Sequence, residues 1–60
     1  MIKAARMHAQ GELELHKANI EVYLQNPAGI GEHSDIMEAI QSELDKMAAA
    51  HDRLEMIKLL

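Results

Sequence analysis

The sequence predicts an all-α protein: an antiparallel two-helix hairpin that pairs with a second copy as a homodimeric four-helix bundle. Three observations predict it. Hydrophobic residues make up 48% of the 60 positions, yet Tyr23 is the single aromatic, and a core of Leu, Ile, Met and Ala favours helix. Helix breakers cluster at one place, Pro27, Gly29 and Gly31, with Gly11 the only other. The segment before that break carries two apolar stripes, one more than a single partner helix can cover.

The first helix is expected over about residues 2–25. At about 100° per residue, Ile2, Ala5, Ala9, Leu13, His16, Ile20, Tyr23 and Leu24 share one side. Ala4, Met7, Leu15, Ala18 and Val22 form the second stripe. Lys3, Gln10, Glu14, Lys17 and Glu21 lie on one flank between the stripes, and His8, Glu12 and Asn19 on the other. Gly11 costs about 1 kcal/mol against Ala in such a helix.

An elbow is expected over about residues 26–33. Pro27 lacks an amide hydrogen and disfavours helix at Asn26 before it. Gly29 and Gly31 supply turn conformations that other residues resist. The length suits a connection between antiparallel neighbours.

The second helix is expected over about residues 34–59. Ser34, or His33 alternatively, can cap it, and Asp35 and Glu38 suit the positive end of the helix dipole. Ile40, Leu44, Met47, His51, Leu54 and Lys58 alternate four and three apart, which reads as a heptad seam. Ile36 and Met37 extend it, and Ala50 and Ile57 flank it. The expected oligomer interface comprises Met7, Leu15, Val22, Ile40, Leu44, Met47 and Leu54.

A chain of this size buries only about 60% of its unfolded surface and needs reinforcement from disulfides, metal, partner chains or very good packing. With no Cys, disulfides and thiolate sites are excluded, and a reducing cytoplasm is the compatible compartment. Association with a second copy is the expected remedy, with a foreign protein partner as the alternative. The net charge is −4, and Lys3, Arg6, Lys17, Lys46, Arg53 and Lys58 are dispersed among ten carboxylates. Such a surface disfavours nucleic acid and anionic lipid. Apolar runs are too short to span a bilayer, and the positive start, Met1 to Arg6, is followed by no apolar secretion-signal stretch.

Candidate chemistry is sparse. Ser34, Ser42 and Tyr23 are the hydroxyls, no thiol accompanies them, and neither an enzyme nor a cofactor is expected. His8, Glu12 and His16 recur four apart, as do His51 and Glu55. Histidine and carboxylate at that spacing can share a cation. The Glu-x-x-His pair of di-iron bundles is absent. His16 and His51 both fall on apolar stripes at similar distances from the elbow and could meet in the core. A metal site built on His16, His51, Glu12 or Glu55 competes there with histidines satisfied by polar neighbours and with a pH switch. The remaining carboxylates, Glu43 among them, are expected on solvated faces.

Gly29-Ile30-Gly31 with Pro27 resembles the helix-hairpin-helix motif that binds DNA, in which glycine amides and a helix N-terminus hold a phosphate. Ala28 separates Pro27 from Gly29, where that family runs Pro-Gly directly. Glu32 and Asp35 stand where it carries cations, and they oppose phosphate. The simpler reading makes Asn26, Pro27, Gly29 and Gly31 an elbow only.

The segment Ala18-Asn19-Ile20-Glu21-Val22-Tyr23-Leu24-Gln25-Asn26-Pro27-Ala28-Gly29-Ile30-Gly31-Glu32-His33, with Asp35 to Ile40 and Asp52 to Ile57, resembles short proteins of tailed bacteriophages, especially myoviruses of marine cyanobacteria. The resemblance implies an accessory or structural role in the infected bacterial cytoplasm and carries no catalytic residues. Ser34 stands where the pattern would place Pro, a change that leaves the helix start intact.

Overall fold

The computed structural model describes residues 1–25 and 33–60. The first helix, α1, spans Ile2–Gln25, and the second, α2, spans His33–Ile57. The elbow residues Asn26, Pro27, Gly29 and Gly31, and the capping side chains of His33 and Ser34, lie outside the described ones. Asp35 sits in the first turn of α2, where a carboxylate complements the exposed amides. α2 ends two residues before the expected 59. The amides of Leu59 and Leu60 bond the carbonyls of Met56 and Ile57 at 3.0 and 3.1 Å. These three-residue bonds tighten the chain out of the helix and satisfy carbonyls its end would leave orphaned.

The helices pack on each other along their length. Their direction follows from two side-chain bonds: His16 meets Glu43, and Glu12, earlier in α1, meets Arg53, later in α2. Moving back along one helix therefore means moving forward along the other, which is an antiparallel hairpin. Starting from His16 opposite Glu43, one step of seven sets Ala9 opposite Ala50, and a second sets Ile2 opposite Ile57. One step the other way sets Tyr23 opposite Ile36. Ala9 and Ala50 are the buried residues among those described, at 1% and 0% exposure. One neighbouring helix can cover a methyl group completely, whereas the larger side chains at the other levels stay half-covered or, at Ile2, exposed.

On α1 the shielded positions Ala9, Leu13, His16, Ile20 and Tyr23 match the expected stripe, while Ile2, Ala5 and Leu24 are exposed. On α2 the seam differs from the expected one. It runs Ile36, Ile40, Glu43, Met47, Ala50, Leu54 and Ile57, all buried or half-buried. Leu44, His51 and Lys58 lie outside it and are exposed. The helix is turned so that small Ala50 reaches Ala9 and Glu43 reaches His16. That rotation moves Leu44 and His51 to the side of the hairpin.

The hairpin is a rod of 45 × 14 × 12 Å with a radius of gyration of 14.0 Å. A compact chain of 60 residues has about 10 Å. Its surface is 4646 Å², against about 3,900 Å² for a folded monomer of 6.7 kDa. The surplus, about 700 Å², arises because two rods bury one line of side chains each.

If the Ala9–Ala50 approach sets the helix separation, Ala50→Leu overpacks it and costs about 1–3 kcal/mol. Ala49→Leu, on an exposed neighbour, stays within about 0.5 kcal/mol of the parent. Urea denaturation of the two variants checks this, and equal melts would remove the alanine contact as the determinant.

Candidate functional site

The most enclosed polar contact joins the two helices. His16 Nδ1 lies 2.5 Å from a Glu43 carboxylate oxygen, with side chains 14% and 15% exposed. The ring nitrogen donates when it carries hydrogen, in the neutral Nδ1–H tautomer or the imidazolium. The bond from His16 holds the Glu43 carboxyl below the usual carboxylate range. The Asn19 side chain, the charge of the histidine and Lys46 act the same way, and partial burial opposes them. In a seam otherwise apolar between Tyr23 and Ala9, this clasp selects a register. Sliding α2 by one heptad would set Glu43 against Ala9 or Tyr23 and strip a shielded carboxylate of its partner.

Other charges lie nearer water. Arg53 donates to Glu12 at 2.6 Å across the helices, and Glu12 also lies 3.1 Å from His8 Nε2. Lys58 donates to Glu55 at 3.2 Å, while His51 stands 3.6 Å from the same carboxylate, too far for a hydrogen bond. His16 and His51 do not come together: His16 is engaged by Glu43, and His51 lies eight residues beyond Glu43 on α2, about 12 Å along the axis. Glu12 and Glu55 are engaged by cations on the two sides. Among the described residues no group of three or more His, Asp and Glu converges as a metal site.

Three apolar surfaces remain open among the described residues, one of them a hollow at the chain ends lined by Ile2, Ala5, His8, Arg53, Met56, Ile57 and Leu60. Leu13, Leu44, Met47, Ala48 and His51 line a shallow groove along one side of the hairpin. Leu13 and His51 continue it toward the chain ends, beside Arg6, Gln10, Leu54, Glu55 and Lys58. Leu44 is 49% exposed there, and Met37, one heptad earlier, is exposed as well. The third surface is the back of α1, where Met7, Leu15 and Val22 are 65%, 56% and 63% exposed. Of the expected interface residues, these three and Leu44 face outward, whereas Ile40, Met47 and Leu54 are half-spent on the hairpin seam. No described helix is long and apolar enough to cross a membrane.

Sequence reasoning missed Glu43. The available signal was a seven-residue series, Ile36, Glu43, Ala50 and Ile57, running beside the more obvious Met37, Leu44 and His51. A carboxylate and an alanine disguised it. Comparison of the chain with protein-family models, curated proteins and solved structures finds no match.

The clasp carries a pH signature. Because the folded state holds the Glu43 carboxyl below its ordinary value, the stabilisation is present above the unfolded carboxylate range and is lost as pH falls through the lowered folded value. Urea midpoints measured from neutral to strongly acid pH should therefore drop on the acid side, and Glu43→Gln should flatten that limb. An unchanged acid limb in Glu43→Gln would assign the pH dependence to other carboxylates.

Proposed function

We propose that this chain is a non-enzymatic interaction protein whose fold is completed by a second copy. In this reading two hairpins lay their grooved sides together as a four-helix bundle related by a two-fold axis. The exposed apolar groove supports it. Leu44 stands midway between Met37 and His51 along that side, so a two-fold axis passing Leu44 would set Met37 of each copy over the His51 end of the other's groove. The surplus of about 700 Å² per chain approaches the about 800 Å² that each partner contributes to a standard interface. The absence of thiols and the scarcity of hydroxyls support a binding role over covalent catalysis.

The resemblance to short phage proteins gives that role a setting: an accessory or structural protein in the cytoplasm of an infected bacterium. The genomic neighbourhood of the coding sequence tests this. Head and tail genes on either side would favour it, and a bacterial operon without them would remove it.

Sedimentation equilibrium over a wide concentration range, with helicity followed in parallel, tests self-association. A dimer should dissociate on dilution and lose helicity as it does. Leu44→Glu should weaken dimerisation about a hundredfold or more, because two buried leucines of at least about 1.5 kcal/mol each are lost at one axis. A helical monomer at every concentration would sink the proposal.

A further inference from the structure

A bundle built on the groove leaves the back of α1 uncovered, and that surface has its own pattern. Ala4, Met7, Gly11, Leu15, Ala18 and Val22 are spaced 3, 4, 4, 3 and 4 apart, and all are exposed. The spacing repeats every eleven residues, about 3.67 per turn, which keeps the stripe nearly straight along the helix. The seam on the opposite side of the same helix repeats every seven.

Gly11 is unexplained by the hairpin. It lies within α1, has no positive φ, and a Cβ placed on it would meet nothing within 4 Å. Glycine weakens a helix interior, and nothing in its own chain requires one here. A close approach by a backbone from outside would require it.

The sizes along the stripe identify what approaches. Run antiparallel to itself about a midpoint at position 13, the stripe sets Ala4 against Val22 of a second copy and Gly11 against Leu15. Met7 falls within one residue of Ala18. Each large side chain meets a small one. On the flank, Lys3 falls within two residues of Glu21 of the second copy, twice by symmetry, while Glu14 falls between Gln10 and Glu14 of that copy. A surface complementary to itself under a two-fold rotation is what an isologous interface requires.

We infer that the back of α1 is a second self-association surface, pairing antiparallel with the same face of another copy, with Gly11 seated against Leu15. It deepens the self-association reading but does not depend on the groove bundle. Together the two faces would join dimers into tetramers or longer chains.

The chain has no cysteine, so introduced thiols report without background. Ala4→Cys and Val22→Cys in one chain stand about 27 Å apart, beyond the reach of an internal disulfide. Mild oxidation of this double variant should yield a covalent dimer at least tenfold faster than Val22→Cys alone. The same result is expected in the Leu44→Glu background, which keeps this face distinguishable from the groove. Gly11→Leu should leave the hairpin folded, since its Cβ meets open space, and weaken this association at least tenfold although it adds apolar surface. Cross-linking by Val22→Cys alone would indicate parallel pairing and overturn the proposal. So would no cross-link in the double variant, its loss in the Leu44→Glu background, or tighter association of Gly11→Leu.

Discussion

Two rods touch along one line, and the rest of this molecule follows from that constraint. A helix of the length of Ile2–Gln25 offers its whole circumference, but a single antiparallel neighbour covers only a seam. Here Ala9 and Ala50, at one level of the seam, are the buried residues among those described. The larger Leu13, Ile20, Ile40, Met47 and Leu54 are half-covered around them, because one neighbouring helix shields only part of each. Conformational entropy must still be offset for every ordered residue. Little side-chain area in the hairpin is fully withdrawn from water, as expected of a chain this short, which buries only about 60% of its unfolded surface.

The polar clasp fits the same logic. Apolar contacts are non-directional, and a seam of alanines, leucines and isoleucines at seven-residue steps tolerates sliding by a whole step. His16 and Glu43 do not, since each finds its partner in one register only. The pair need not add net stability to serve this purpose: shielded ion pairs often contribute little against apolar replacements, while a single polar residue can set register. Arg53 and Glu12 repeat the constraint nearer the chain ends with more exposed groups, where the energetic return is smaller.

How much of this was legible follows from particular residues. The two helices were readable because Pro27, Gly29 and Gly31 stand together and no other cluster of breakers occurs, although nothing in the pattern marked the end of α2 at Ile57. The α1 seam was readable because Leu13, Ile20 and Tyr23 are large and regularly spaced. The α2 seam was misread by one position, since the larger side chains at Leu44 and His51 outweigh Ala50 and Glu43 in any reading by hydrophobicity. Closest approach selects for small residues, and a histidine on the facing helix selects for a carboxylate. Neither preference is visible until the facing residue is known. His16 and His51 looked like a core pair for the same reason, whereas their true neighbours are Glu43 on the seam and open groove at the side.

One helix carries two repeats, seven residues on the seam side and eleven on the back, and they make opposite demands. A seven-residue repeat drifts by about 20° per step on a straight helix and favours left-handed supercoiling; an eleven-residue repeat drifts the other way and favours right-handed. In a long rod these demands would conflict. From Ile2 to Tyr23 there are only three seven-residue steps, so the seam wanders by about 60° in all, less than the width of an apolar stripe. At this length a nearly straight helix can present one face to its own chain and the other to a second copy. The shortness that limits what one hairpin buries is therefore also what leaves both sides of α1 usable.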